Sequence, residues 1–316
     1  TNVLGQPFNI EWFVYAQTAA YLLTALITLL VVLKKSGRIK VRFNRKFFLV
    51  FLRKSYPYAL LILLMSLYNR IDSVMLERML TGSAGKEQAG IYAQAFRLLD
   101  AVAMFGVLFA SLLLPIFAKM IKQKEPVGQM VKLSYTLLIV PAIVIAVSSL
   151  FYNNEIMALL YNSNTEQSSE IFGILMIGFI GYATTYIFGS LLTANGSMKQ
   201  LNIMAFTGMV INILLNIILI PRFQAIGSAY ASVATQLATG GAQLGLALFI
   251  FRLKPGLKYI VQIILFVAVV VLLGFITQNI DNWIYGYLTM IAGAFLIAFL
   301  LKLLNLKALY TIVFYE

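Results

Sequence analysis

The sequence predicts an all-α, polytopic membrane protein, on two observations. Hydrophobic residues make up 61% of the 316 residues and charged residues only 11%, and the mean hydropathy is +0.90. A chain this apolar cannot give a water-soluble globule its polar surface. Apolar stretches of about 20 residues, enough to cross a bilayer core as helices, also recur along the whole chain.

Nine such stretches predict nine transmembrane helices, at residues 12–33, 56–78, 90–118, 132–152, 171–193, 201–220, 226–251, 259–278 and 283–302. Between the first two lies a basic segment in which Asn44 is placed to cap a short amphipathic helix at the membrane surface. Pro57 suits the first turn of the second span. The last two spans carry no basic residue between 259 and 301 and are predicted to face lipid at the periphery.

The net charge of +13 is explained by membrane topology rather than by binding of nucleic acid. Most of the 24 basic residues fall in segments 34–54, 119–132, 252–258 and 302–307, on one side of the predicted spans. The other side carries the acidic residues Glu11, Glu87, Glu155, Glu166, Glu170 and Asp281. This asymmetry follows the positive-inside rule. It fits an odd number of spans, with the N-terminus outside and the C-terminus in the cytoplasm.

The sequence contains no cysteine and no histidine. These residues therefore cannot form a disulfide, a catalytic thiolate or a thiolate metal site. The usual general base and the commonest metal ligand near neutral pH are missing too. We expect no catalytic residue, metal site or cofactor, and we expect that the protein is not an enzyme.

Charged residues interrupt the second and third spans. The stretch SLYNRIDSVMLERML carries Arg70, Asp72 and Glu77, and the third span carries Arg97 and Asp100. Each charge at the middle of a span costs about 2.5–3.5 kcal/mol. The four deepest together would cost on the order of 10 kcal/mol in lipid, so they must be paired or hydrated.

The rise of an α-helix places Arg70 and Arg97 at a common depth, about 10 Å below the outer surface. Pairing of Arg70 with Asp100 and of Asp72 with Arg97 is geometrically plausible. One interpretation is a buried ion cluster that only locks two helices together. The other is a water-filled cavity in which the arginines bind an anionic head such as pyrophosphate. Asp72, Asp100 and Glu77 then hold the arginines in place or take up a coupling cation.

Small and polar residues recur every four positions in the later spans, as in Gly181, Thr185, Gly189 and Thr193. Such rows let helices approach closely and hydrogen-bond across the contact. Ordinary helix packing explains them; a polar cavity lining is the alternative, with Asn69, Thr184, Thr185, Asn212 and Asn216 as its candidates.

Three stretches, SLYNRIDSVML, GIYAQAFRLLDAV and LLTANGSMKQLNIMAFTGMVINILLNIILIPRFQAIGSAYAS, carry a family resemblance. They resemble the polysaccharide and O-antigen flippases of the MATE-like MOP exporter superfamily. The resemblance implies two six-helix lobes around a central cavity. Residues 1–34 then match the last helix of the amino-terminal lobe and 35–55 the basic cytoplasmic linker. Residues 56–252 match the six-helix carboxy-terminal lobe, and 253–316 two peripheral helices and a cytoplasmic tail. The first five helices of the family would be missing.

The resemblance implies export of a polyprenyl-pyrophosphate-linked oligosaccharide across the bacterial cytoplasmic membrane by alternating access. Arg70 and Arg97 would bind its pyrophosphate, and the partners would be this lipid-linked substrate and membrane lipids, with no nucleic acid. The oligomeric state stays open and includes a monomer. The alternatives are a multidrug exporter of organic cations that works through the carboxylates, a lipid II flippase, a polymerase or ligase of lipid-linked sugars, and a structural membrane component.

Overall fold

The structure is a computed structural model that describes residues 10–36, 44–162 and 165–304. These residues form helices and, within the described ranges, no strand. The helices are α1 (Ile10–Ser36), α2 (Arg45–Met79), α3 (Ser83–Gln123), α4 (Gly128–Phe151), α5 (Asn153–Leu160), α6 (Thr165–Ala194), α7 (Met198–Ile250), α8 (Leu257–Thr277) and α9 (Trp283–Leu300). The predicted all-α class is confirmed.

Eight helices of the described chain are long and apolar enough to cross a membrane. The eight include α7, which corresponds to two predicted spans, because Gln224 interrupts it with φ 52° and ψ −131°. Ser228 Oγ donates to Asn216 Oδ1 at 2.7 Å although the two residues are twelve positions apart. The chain therefore reverses at Gln224. We call the result the α7 hairpin, with a first arm at residues 198–223 and a second arm at 225–250, and it accounts for the nine predicted spans.

The start of α2 agrees with the predicted cap but not with the predicted break. Asn44 Oδ1 accepts hydrogen bonds from the backbone N–H groups of Lys46 and Phe47. The helix then continues through Pro57 to Met79, so the expected surface helix and second span are one helix. The short helix α5 was not predicted. The predictions for Arg38, Lys40, Arg42 and Lys307 lie outside the described residues.

The chain divides into two compact units, Thr1–Lys54 and Ser55–Glu316. The first contains α1 and residues 45–54 of α2. In the second, α6 is central and packs against α3, α4, α5 and α7. The largest fully buried side chains of this unit include Tyr92, Phe117, Phe179 and Leu175. Burial of these rings and aliphatic chains holds the helices around α6 together.

Glycines permit the closest helix contacts around α6. A Cβ atom at Gly181 would lie 2.7 Å from the backbone oxygen of Gln236, and one at Gly240 would lie 2.8 Å from the oxygen of Gly181. Within the α7 hairpin, a Cβ at Gly208 would lie 2.9 Å from Thr239 Oγ1. The small-residue rows thus lie where backbones approach each other, as the sequence predicted.

Side-chain contacts at each end of the second unit show which helix ends lie together. At one end Gln88 and Gln167 exchange hydrogen bonds, and Gln88 Oε1 also accepts the backbone N–H of Ala225 at the hairpin reversal. At the other end Asn202 Nδ2 donates to the oxygen of Pro57 at 2.9 Å. The starts of α3, α6 and the second arm of α7 therefore lie at one end of this unit, and the start of the first arm lies beside Pro57 of α2 at the other end.

Helices α8 and α9 pack on each other and on α4. The rings of Phe151 and Phe275 meet edge to face with centroids 4.9 Å apart. The hydroxyls of Thr136 and Tyr259 lie 2.8 Å apart. The outer face of the pair exposes apolar side chains such as Leu288, as expected of helices in contact with lipid.

Candidate functional site

Arg70 and Asp100 form an ion pair between α2 and α3. Arg70 Nη2 lies 2.9 Å from Asp100 Oδ2, and the two side chains are 67% and 44% exposed. The Arg70 guanidinium also lies 5.3 Å from the centroid of the Phe96 ring, a cation–π contact. The predicted pair is present, and it lies on the surface of the second unit rather than in a sealed cluster.

Arg97 lies three residues before Asp100 on α3, and its side chain is exposed. Among the described residues, no carboxylate lies within salt-bridge distance of it. We call Arg70, Arg97 and Asp100 the arginine face. Its three charges leave one guanidinium without a counter-ion in this part of the chain.

Asp72 lies elsewhere, and its predicted pairing with Arg97 is wrong. Its side chain is fully buried, with Tyr92 OH donating to Oδ2 at 2.7 Å and Asn216 Nδ2 donating to Oδ1 at 2.8 Å. The reason is helix geometry. Asp72 shares the buried stripe of α2 with Leu64, Tyr68 and Leu76, whereas Arg97 is on the exposed side of α3.

Neutral groups of the α7 hairpin surround the Asp72 carboxylate. Asn216 Nδ2 lies 3.1 Å from Asn212 Oδ1, and Asn216 Oδ1 accepts from Ser228. The predicted candidates Asn212 and Asn216 are therefore brought together with Asp72 and kept apart from the arginine face. We call Asp72, Tyr92, Asn212, Asn216 and Ser228 the aspartate network.

A second buried network fastens α2 to α6 and α7. Asn69 Oδ1 accepts from Tyr182 OH at 2.9 Å and from Gln236 Nε2 at 3.1 Å. Gln236 Nε2 also lies 3.2 Å from Tyr68 OH. Asn69 was a candidate in the sequence, but its partners were missed. The four-residue spacing of Ser228, Ser232 and Gln236 would have pointed to this polar face of the second arm.

Two other candidates, Thr184 and Glu77, lie outside both the arginine face and the aspartate network. Thr184 is buried and donates to the oxygen of Ile180 at 2.8 Å, so it lies in the packed core. Glu77 is exposed near the end of α2, and among the described residues it makes no salt bridge. Asn69 and Thr184 therefore do not share a cavity with Thr185.

Thr185 lines a cavity of about 170 Å³ between α2, α3, α6 and α7. Its wall contains the apolar side chains of Leu61, Met65, Leu114 and Leu201. The polar part of the wall comes from Thr185, Ser190, Thr193 and Gln243. The sequence indicated Thr185 but not Gln243, which lies on the polar face of the second arm.

Comparisons with known proteins agree with this architecture. Residues 3–121 match a family model described as polysaccharide biosynthesis protein. Among solved structures, lipid II flippase MurJ in an inward closed conformation is similar, with a TM-score of 0.66 and 17% sequence identity. That match covers 93% of this chain and 61% of the flippase, so the chain spans less than two thirds of its length. No curated protein matches the chain.

At 17% identity the likeness to the flippase establishes the fold of a multi-pass membrane protein. The resemblance to the polysaccharide flippases that the sequence motifs carry is therefore confirmed, by the family match over residues 3–121 and by a flippase fold over nearly the whole chain.

Proposed function

We propose that this chain supplies the carboxy-terminal lobe of a flippase that moves a polyprenyl-pyrophosphate-linked oligosaccharide across the bacterial cytoplasmic membrane by alternating access. The observation that carries the proposal is the arginine face. Arg70, Arg97 and Asp100 are exposed on the second unit, in helices that are otherwise apolar enough to span a membrane.

The free-energy cost of placing charges in lipid indicates whether the arginine face contacts lipid or water. Three charged groups facing hydrocarbon would cost about 2.5–3.5 kcal/mol each, even on the lowest scales. One ion pair offsets only part of that cost, and Arg97 has no carboxylate partner within the described residues. The arginine face must therefore border water, as the wall of a central cavity does in a two-lobe transporter.

The chemistry of the arginine side chain favours a phosphate-containing ligand. A guanidinium keeps its charge when partly desolvated and binds two phosphate oxygens at once through its planar fork. The Phe96 ring packs against the Arg70 guanidinium, and Arg97 lies one residue after Phe96 on α3. This spacing suits a pyrophosphate that bridges the two arginines.

The aspartate network suits a coupling cation. Asp72 is buried among neutral groups, an arrangement that is costly unless a cation or a proton offsets the charge. Asn216 contacts this carboxylate through its amide nitrogen, and the side-chain oxygens of Asn212 and Ser228 lie within hydrogen-bond distance of Asn216. Oxygen ligands are those that hard cations prefer. Asp72 would then bind the ion whose gradient drives the cycle.

The decisive experiment is flipping of a labelled lipid-linked oligosaccharide in vesicles that contain the full protein. We expect Arg70→Ala and Arg97→Ala each to reduce transport about tenfold or more, the effect of losing a charge-assisted pair of hydrogen bonds. Arg222→Ala, an exposed arginine at the hairpin reversal, is the matched control and should leave transport unchanged. Unchanged transport by both cavity variants at matched expression would contradict the proposal.

A multidrug exporter of organic cations is the second candidate, and buried Asp72 is the observation that favours it. The two functions respond oppositely to substitution. The flippase requires Arg70, whereas a cation exporter would lose efflux with Asp72→Asn or Asp100→Asn and tolerate Arg70→Ala. Efflux of an organic cation dye by these variants distinguishes the two. Release of free polyprenyl pyrophosphate by purified protein would instead favour an enzyme of lipid-linked sugars.

A further inference from the structure

The start of α4, the start of α8 and the end of α9 lie together at one end of the second unit. A Cβ atom at Gly128, the first residue of α4, would lie 3.5 Å from Leu253 Cδ2 in the connection between α7 and α8. Gln262 Nε2, in the second turn of α8, donates to the backbone oxygen of Leu301 just after α9, at 2.7 Å. These contacts bring the segments 124–132, 252–262 and 299–304 to the same end.

The three segments are strongly basic. They contain one acidic residue, Glu125, which forms no salt bridge with the residues that the structure describes. Their basic residues are all exposed, and they are Lys124, Lys132, Arg252, Lys254, Lys258 and Lys302. Clustered positive charge attracts anions, so a ligand of this surface should be an anion.

Three of these basic residues occupy backbone positions that favour glycine. Lys124, Arg252 and Lys302 lie just after the ends of α3, α7 and α9, with φ of 59°, 52° and 55°. Gly196 has the corresponding left-handed conformation after α6, with φ 76°. A Cβ atom costs free energy in this conformation, which is why glycine is usual there. The sequence thus places positive charge at these helix ends although the backbone favours glycine.

Lys132 is held in position by Tyr259. Its ammonium nitrogen lies 5.0 Å from the centroid of the Tyr259 ring, a cation–π contact between α4 and α8. Thr136 donates its hydroxyl hydrogen to the backbone oxygen of Lys132. The Tyr259 hydroxyl, 2.8 Å from Thr136 Oγ1, must therefore donate to Thr136, and this bond fixes the ring on α4. Among the described residues no carboxylate lies within salt-bridge distance of Lys132, so its ammonium can donate to an added anion.

Two further lysines lie close to Tyr259 along the chain or through a contact. Lys258 precedes Tyr259 on α8 and lies one turn before Gln262. Lys302 directly follows Leu301, whose backbone oxygen accepts from Gln262. We call Lys132, Lys258, Tyr259 and Lys302 the lysine seam.

Apolar side chains beside the lysine seam indicate the kind of anion. Ile260 and Ile264 form one stripe of α8 next to Tyr259, and they are 41% and 63% exposed. A ligand that matches this surface has an anionic head at the lysines and apolar chains along the isoleucines. An anionic phospholipid has both parts, and basic pockets between membrane helices bind such headgroups. A soluble phosphate would use only the charges.

We propose that the lysine seam binds an anionic phospholipid, whose phosphate accepts hydrogen bonds from Lys132 and whose acyl chains lie along Ile260 and Ile264. The lysine seam lies on α4, α8 and α9, whereas the arginine face lies on α2 and α3. The proposal therefore concerns a second ligand and does not depend on the substrate of the arginine face. A lipid bound to both α4 and α8 would hold the two peripheral helices against the rest of the unit.

Lipid affinity of the purified full protein in detergent tests this. Native mass spectrometry measures the Kd of the first bound dioleoyl phosphatidylglycerol, which is anionic, and of dioleoyl phosphatidylcholine, which has the same acyl chains and no net charge. We expect the anionic lipid to bind more tightly. Lys132→Gln should weaken its affinity about three- to tenfold, the effect of one lysine at an anionic headgroup, and leave the affinity for phosphatidylcholine unchanged.

Two matched variants separate the lysine seam from a general effect of charge. Lys199→Gln removes an exposed lysine from the start of the first arm of α7, so it lowers the net charge equally and should keep the preference for the anionic lipid. Tyr259→Phe keeps the ring under Lys132 and should keep the preference, whereas Tyr259→Leu removes the ring and should reduce it. Each variant is judged by the ratio of its two lipid affinities, so partial unfolding does not imitate the expected result.

Three outcomes would overturn the proposal. The first is equal affinity of the native protein for the two lipids. The second is a loss of preference in Lys199→Gln as large as that in Lys132→Gln, which would mean that net charge alone attracts the lipid. The third is competition by glycerol 3-phosphate as effective as that by phosphatidylglycerol, because the site would then bind a soluble phosphate rather than a lipid.

Discussion

Arg70 and Asp72 are two residues apart on α2, so they point about 200° apart around the helix axis. One lies 67% exposed beside Asp100, and the other lies fully buried against Tyr92 and Asn216. The sequence identified the charges and one of the two pairs. It could not identify the neutral partners of Asp72, because Asn216 and Tyr92 are distant in sequence and meet it only through packing.

Replacing Asp72 by alanine should destabilise the protein. The substitution leaves the Tyr92 hydroxyl and the Asn216 amide buried without their acceptor, which should cost about 2 kcal/mol or more. Thermal unfolding in detergent measures the effect. Asp281→Ala, at an exposed residue between α8 and α9, is the control, and equal melting temperatures for the two variants would show that the network contributes nothing to stability.

Replacing Asp100 by asparagine should strengthen anion binding. Asp100 occupies the Arg70 guanidinium at 2.9 Å, so an incoming pyrophosphate must compete with its carboxylate. We expect Asp100→Asn to bind inorganic pyrophosphate about threefold or more tightly, because the neutral amide competes less well for the guanidinium than a carboxylate does. Titration calorimetry at fixed salt measures this affinity. Glu170→Gln, exposed at the start of α6, is the control; weaker binding by Asp100→Asn would mean that Asp100 positions Arg70 instead of competing for it.

At the scale of elements, hydropathy predicted the spans because lipid demands long apolar helices with every backbone group satisfied. It missed α5, which has only eight residues. It also divided α2 at Pro57, although the helix continues through that residue. The α7 hairpin was predicted as two spans, and the reversal at Gln224 bears that out.

The contact between α6 and the second arm of α7 should be the least tolerant of added volume. In Gly181→Ala the new methyl group would lie 2.7 Å from the Gln236 backbone, which cannot rotate away. We expect a loss of about 1–3 kcal/mol in stability. Gly241→Ala places its methyl group in open space on the same arm and should be neutral or slightly stabilising. A melting temperature for Gly181→Ala equal to that of the native protein would contradict the close approach.

At the scale of the whole molecule, the loop charges predict the sidedness of the chain, with the C-terminus in the cytoplasm, and this stays a prediction. The grouping of candidate residues was less predictable. Sequence suggested one cluster, whereas the structure separates the arginine face, the aspartate network and the cavity beside Thr185. The reason is that each span has several faces and hydropathy does not say which neighbour covers each one.

Single cysteines can test the sidedness directly, because these 316 residues contain none. Glu155→Cys and Asp281→Cys should react with a membrane-impermeant maleimide in intact cells. Lys122→Cys and Lys199→Cys should react only after the membrane is opened, since basic loops stay in the cytoplasm. The reverse labelling pattern would overturn the topology.

The α7 hairpin has a consequence for biogenesis. The amide of Asn216 on the first arm has its partners on α2 and on the second arm, so the first arm released alone into lipid would carry unsatisfied polar groups. The reversal at Gln224 leaves almost no loop between the arms. We therefore expect the translocon to hold the first arm until the second has been synthesised, and to release the two together as a preassembled pair.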